Sequence, residues 1–225
     1  MNEMVINGVR ILYNGKLSRS FDISDIEEYY ILNNYGRGVM IVPSGANVFD
    51  VGAFRGYYAM RIKELRPDLN IYCFEPNLEN FDILKKNIEN NGFNIRAFNC
   101  AITPKCGKYG LSKPSHDGSY VVDGSGDYVE GVTLEDAKRV AGVDRIHYLK
   151  MDIEGGEADL IKSIPSNIFD ELLGVDMEFH PDSYPREEVK NIIKLLNSYG
   201  LNTVRHPDFM GPKMEFYRVL EKTVK

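Results

Sequence analysis

The chain has 225 residues, 43% hydrophobic and 11% aromatic, with a formal net charge of −6 and a pI near 5.3. That length and apolar content supply one large α/β domain more readily than two small ones, and the acidic balance excludes a non-specific nucleic-acid binder, whose surface carries a basic stripe. No apolar run approaches the roughly 20 residues of a membrane-spanning helix, and residues 1–10 lack the basic head and apolar stretch of a secretory signal.

The three cysteines, Cys73, Cys100 and Cys106, are an odd number without C-x-x-C spacing. Neither a disulfide framework nor a zinc site is indicated, and a reduced, cytoplasmic setting is expected. Residues 1–46 read as a lead-in packed on the main domain, which spans 47–225. Within the lead-in, Val9–Tyr13 followed by Asn14-Gly15 reads as a strand and tight turn. Ser24 to Tyr35 reads as a helix with Ser24 as N-cap and Glu27 closing a capping box.

From Asn47 onward, apolar strands alternate with amphipathic helices, the pattern of a doubly wound, mostly parallel α/β sheet. Val48–Val51 and Ile71–Phe74 are strands, with a helix from Gly56 to Leu65 between them. Leu78, Phe81, Leu84 and Ile88 predict one helix face, stopped by Asn91-Gly92. Strands follow at Ile95–Phe98, Tyr148–Met151 and Leu172–Phe179, with helices at 134–140 and 157–164. A helix with Val189, Ile192, Ile193 and Leu196 on its face ends near Gly200. The strands 201–205 and 215–220 can then pair as an antiparallel hairpin. The stretch from Thr103 to Gly131 breaks this alternation with six glycines and Pro114, so it is expected to be a functional lid or substrate loop, or else a poorly ordered excursion.

The first strand ends in Asp50-Val51-Gly52-Ala53-Phe54-Arg55-Gly56, and the second in Glu75-Pro76. A strand–glycine turn–helix–strand unit of this kind holds a nucleoside at the carboxyl ends of its strands. Glu75 stands where a carboxylate accepts hydrogen bonds from both ribose hydroxyls. The glycine spacing is G-x-x-x-G rather than the G-x-G-x-x-G of a dinucleotide site. Asp50 would repel a pyrophosphate and favour an ammonium. S-adenosylmethionine, with an adenosine, an ammonium and a sulfonium but no phosphate, fits these residues better than NAD. Gly52→Val is expected on this reading to block the ligand with little loss of fold.

Several stretches resemble the FkbM methyltransferases, a class I S-adenosylmethionine-dependent family. They are Phe49–Tyr58, Phe74-Glu75-Pro76-Asn77 with Asn80-Phe81, Asn99–Ile102, Gly118-Ser119, Val132–Asp136, Leu149–Glu157 and Val175–His180. Phe54-Arg55 and the stretch before Gly118 depart from the family pattern. The resemblance implies a Rossmann-like, seven-stranded sheet with an antiparallel last strand. It implies methyl transfer to a hydroxyl of a small molecule such as a sugar or secondary metabolite. The cofactor-binding set it implies is Asp50, Gly52, Ala53, Gly56, Tyr57, Glu75, Pro76 and Ala101.

An alcohol attacks a sulfonium methyl best as its proton leaves, so a base is needed within hydrogen-bond reach. Asp152 and Glu154 follow the strand ending at Met151, and Glu178 and His180 follow the next; strand ends in such a sheet converge on the ligand crevice. These four are the candidate catalytic residues. Asp152 and Glu154 could instead cap the helix beginning near Gly156. The four could also assemble a divalent metal such as Mg²⁺. Lys150 reads as a strand-end or packing residue, and Lys138-Arg139 as a solvated helix face. The alternatives are an NAD-linked oxidoreductase and a non-catalytic nucleotide-binding module, and the chain is open to homo-oligomerisation.

Overall fold

The computed structural model describes residues 1–14, 25–32, 38–111, 121–122, 127–178, 185–204 and 213–218. A hairpin of β1 (Asn2–Ile6) and β2 (Val9–Tyr13) opens the chain. It turns at Asn7-Gly8, with φ of 53° and 85°, the left-handed pair that a two-residue hairpin turn requires. The tight turn therefore precedes β2; Gly15, where it was expected to follow, lies outside the described residues, as does the Ser24 cap. Asp25 and Ile26 are helical, and Glu27–Leu32 continues as a π-wound turn.

The first βαβ unit comprises β3 (Asn47–Val51), α1 (Tyr57–Leu65) and β4 (Asn70–Phe74); α2 (Leu78–Asn90) and β5 (Ile95–Phe98) follow. On α2 the buried face differs from the apolar pattern. Leu78 is 62% exposed, whereas Asn80, Ile83, Leu84, Asn87 and Ile88 are buried. Polar residues take core positions there because their amides are used. Leu12 N donates to Asn87 Oδ1 at 2.7 Å, and Arg10 N to Asn91 Oδ1 at 2.7 Å. Asn87 and Asn91 return donors to the carbonyls of Leu12 and Arg10. Two asparagines one helical turn apart thus bond the edge of β2 as a neighbouring strand would.

The Thr103–Gly131 stretch is neither a plain loop nor an irregular excursion where it is described. With Ala101-Ile102 it forms a second sheet of β6 (Ala101–Ile102), β7 (Gly107–Leu111), β8 (Val121–Val122) and β9 (Asp127–Val132), in the order β6-β9-β7-β8. Gly118, Gly124 and Gly126 lie outside the described residues. Beyond it come α3 (Leu134–Ala141), β10 (Tyr148–Met151), α4 (Glu157–Ser163), α5 (Ser166–Glu171) and β11 (Gly174–Glu178). The chain continues with α6 (Arg186–Ser198), β12 (Leu201–Val204) and β13 (Lys213–Arg218). Lys138 on α3 is not simply solvated: it pairs with Glu171 at 2.6 Å.

The main sheet runs β12-β13-β11-β10-β3-β4-β5. Its body, β11-β10-β3-β4-β5, is parallel, while β13 lies antiparallel to both β11 and β12. Helices cover both faces, so strands such as β10 are buried throughout, as parallel sheets require. Phe49, Val51, Leu149 and Met151 face one core, with residues of α3 to α6. Val48, Cys73 and Tyr148 face the other, with α1, α2 and Val9, Ile11, Ile26 and Val39 of the N-terminal segment. By strand alternation Asp50 and Lys150 share this second face. β3 is flanked by β4 on one side and β10 on the other. Strand order reverses at β3, which opens a crevice at the carboxyl ends of these strands. Among the described residues no helix is long and apolar enough to cross a membrane.

Candidate functional site

The turn after β3 is fixed from several directions. Gly52 has φ of 75°, and its N–H donates to the Phe74 carbonyl at 3.0 Å, with Ala53 N on the same oxygen at 3.1 Å. A Cβ on Gly52 would lie 2.8 Å from the Asp152 carbonyl carbon, and closer still to its oxygen. The space beside Gly52 is therefore filled by the backbone after β10. This corrects the expectation that a valine there would meet only ligand. Gly56, N-cap of α1 at φ 83°, has a similar packing role, because a Cβ there would overlap Leu84 Cδ1.

Phe54 is held at φ 50°, an outlier for a bulky residue. Its N–H donates to Glu75 Oε2 at 2.8 Å, and Asn77 N donates to Oε1 at 2.8 Å. Glu75 is only 6% exposed. Burial pushes its carboxyl up to about 7, against the opposing pull of the two amide bonds. Arg55 stacks 4.5 Å above the Phe54 ring and donates Nε to Asn80 Oδ1 at 3.2 Å. Ala101 is buried on β6. Asn99 on the connection before it donates to the carbonyls of Glu75 and Pro76 at 2.9 and 3.0 Å. Gly52, Ala53, Glu75 and Pro76 are thus gathered around one end of β3 and β4, with the β5–β6 connection beside them.

Two members of the expected set are engaged in the protein interior. Tyr57 is a core residue whose hydroxyl donates to the Leu12 carbonyl at 3.1 Å, which turns it toward the hairpin. Asp50 is 0% exposed, and its Oδ1 lies 3.3 Å from Lys150 Nζ. Its charge is met inside the protein rather than offered to a ligand's ammonium. Burial raises the Asp50 carboxyl, and Lys150 opposes that shift.

Lys150 is the residue that sequence reasoning undervalued. It is 3% exposed, stands opposite Asp50 in the β3–β10 register, and donates to the Gly52 carbonyl at 2.8 Å. Asp152 Oδ2 is 3.8 Å away, and the Tyr58 ring centroid 5.8 Å. Burial alone would depress the ammonium, but Asp50, Asp152 and Glu178 together hold it above the ordinary lysine range. The available signal was a lone lysine within an apolar strand, set against a lone aspartate within another. Buried charges occur in such strands only when paired.

Of the candidate bases, Asp152 and Glu178 are brought to the same end of the sheet, around this ammonium. The Asp152 side chain is 23% exposed. Glu154 is exposed at φ 58°, on a loop gathered by the buried Glu157, which accepts from Ile153 N and Gly155 N. Gly156, the N-cap of α4, makes no side-chain cap bond; Glu157, rather than Asp152 or Glu154, binds the loop amides before that helix. His180 lies outside the described residues. Among the described residues no three histidine, cysteine or acidic side chains stand together to hold a metal ion.

Residues 50–202 match the family described as the methyltransferase FkbM domain. Methyltransferase sdnD of Sordaria araneosa is 22% identical over 215 residues, covering 77% of this chain and 83% of its own length. Methyltransferase 1 of Beauveria bassiana (strain ARSEF 2860) is 23% identical over 207 residues, covering 80% and 82%. Among solved structures, methyltransferase FkbM from Methylobacillus flagellatus KT superposes with a TM-score of 0.58 at 16% identity. The match covers 81% of this chain but only 46% of that one, so the likeness there is of fold.

Proposed function

The chain belongs to the FkbM methyltransferase family, and from that premise we propose that it moves the methyl group of S-adenosylmethionine to a hydroxyl oxygen of a small molecule, such as a sugar or secondary metabolite. The observation that carries this reading is Glu75. It is a buried carboxylate at the tip of β4, pinned by two backbone amides beside the Gly52 turn. Each of its oxygens keeps a lone pair for a ribose hydroxyl. The site is built of carboxylates and lacks the G-x-G-x-x-G turn that embraces a pyrophosphate, so the residues fit the donor.

When bound, S-adenosylmethionine supplies a methyl on a sulfonium; the C–S electron pair leaves with sulfur as the C–O bond forms. The protein's part is to hold the acceptor in line, exclude water and take the hydroxyl proton. Asp152 is the assigned base and Glu178 its nearest substitute, because both end strands that border the crevice. Residues 1–46 serve as a lead-in packed on a catalytic domain of 47–225, a reading supported by the core that the described residues of the lead-in share with α1 and α2.

Calorimetric titration with S-adenosylmethionine, NAD and ATP tests the reading: only the first should bind, and NAD binding would overturn it. Glu75→Ala should weaken donor binding by roughly 1.5–3 kcal/mol, as for bonds to a charged group, or about 10–150-fold. A folded variant with unchanged affinity would remove the ribose assignment. Glu75 also sets a pH dependence. Its folded carboxyl titrates at about 7, and the ribose hydroxyls prefer the ionised form. Affinity should therefore fall as pH drops through that value, by about tenfold between about pH 8 and about pH 6. Glu75→Gln should flatten that slope.

A further inference from the structure

We propose that Lys150 is the positioning residue of this site: its ammonium ties the turn that receives the donor to the carboxylate that meets the acceptor. The inference rests on the donor reading above and adds to it the part that joins the two halves.

A buried ammonium persists only when acceptors and opposite charges around it offset its lost hydration. Those of Lys150 come from separate elements. The shortest contact, 2.8 Å, is not to a carboxylate but to the Gly52 carbonyl. Asp50 Oδ1 on β3 follows at 3.3 Å, and Asp152 Oδ2 past the end of β10 at 3.8 Å. The Tyr58 ring of α1 lies 5.8 Å from Nζ, within reach of a cation–π contact.

A lysine that merely neutralised Asp50 would need the Asp50 contact alone. The bond to Gly52 does something further. The Gly52 N–H is already held by the Phe74 carbonyl, so Lys150 fixes the other polar group of the same residue. The left-handed turn is thereby locked at both its N–H and its carbonyl. The same ammonium attracts Asp152, whose own N–H is bonded to the Val51 carbonyl at 3.0 Å. Donor turn and candidate base therefore share one cation, and displacement of that cation misplaces both. In-line methyl transfer is sensitive to such shifts, since a misplacement of about 1 Å can cost 10²-fold.

The test is a double-substitution cycle on the full chain, read by calorimetric titration with S-adenosylhomocysteine. K150M alone would strand a buried Asp50 charge and confuse folding with positioning. D50N and D50N/K150M are therefore compared, since both lack that charge. D50N/K150M should melt cooperatively yet bind S-adenosylhomocysteine at least about tenfold more weakly than D50N. With an acceptor found by screening, kcat should fall at least about tenfold further while the acceptor KM moves less than about threefold. Affinity and kcat equal to those of D50N would show Lys150 to be only Asp50's structural partner and would overturn the proposal.

If D50N/K150M does not melt cooperatively, K150R in the otherwise unaltered chain replaces it. The guanidinium keeps the charge but not the compact three-way geometry, so the same tenfold loss is expected, and unaltered affinity overturns the proposal. An unsubstituted protein that binds no S-adenosylhomocysteine would instead sink the donor reading, and this inference with it.

Discussion

Gly52→Val is expected to abolish the cooperative unfolding transition, and not only to block a ligand. Gly52 has φ of 75°, a region that costs a residue with a Cβ about 1–2 kcal/mol. The added carbon would also stand 2.8 Å from the Asp152 carbonyl carbon and 3.2 Å from Ile153 Cγ2. The nearest obstruction is backbone, which cannot swing aside as the end of a side chain can. The turn or the end of β10 must move, which breaks the bond from Asp152 N to the Val51 carbonyl. A loss of at least about 4 kcal/mol places this among the most damaging single changes, against a typical total of about 5–15 kcal/mol. Gly92 supplies the control: its φ is 60°, and a Cβ there would meet nothing within 4 Å. Urea unfolding of Gly52→Ala and Gly92→Ala should separate the two contributions, with Gly92→Ala costing about 1–2 kcal/mol and Gly52→Ala well above it. Equal losses would show that the backbone conformation alone requires glycine at position 52.

Asp152→Asn should lower kcat by about 10²–10⁴-fold, the usual contribution of a positioned base, while S-adenosylmethionine affinity stays nearly unchanged. The side chains are nearly the same size, so the loop should keep its path. Glu178→Gln should show a smaller loss. Glu154→Gln should show the least among these carboxylates, because Glu154 is exposed at the apex of a loop organised by Glu157. His180→Ala completes the set. Turnover is measured with an acceptor found by screening sugars and hydroxylated metabolites. If Asp152→Asn retains full turnover, the base is another group. If affinity and turnover fall together, Asp152 contributes to donor binding instead.

Much of this architecture is legible in the chain because it depends on neighbours in sequence. Ile95–Phe98 and Tyr148–Met151 are strands with the bounds their apolar runs suggest. The helices at 57–65 and 134–141 and the antiparallel final hairpin also follow the local pattern. The Gly52 turn and the Glu75 carboxylate were legible for a similar reason. A strand must leave the sheet at a glycine, and a charged residue after a buried strand stands at its tip. The second sheet was hidden, because its short, glycine-rich strands lack the hydrophobic periodicity that marks a strand.

By itself, then, the sequence determined the order of the main-sheet strands and of most of the helices around them, the crevice at the end of β3, and the carboxylates available there. Hydrophobic period and turn chemistry act over only a few residues. Tertiary structure alone decided which polar residues are buried, and against what. Lys150 reads as a strand-end or packing residue until the parallel register sets it opposite Asp50 and within a hydrogen bond of the Gly52 carbonyl. Asn87, outside the apolar face that the sequence predicts for its helix, is buried because β2 uses both ends of its amide. In each case a polar group enters the core only because a partner distant in sequence repays its lost hydration. No local pattern records that partner.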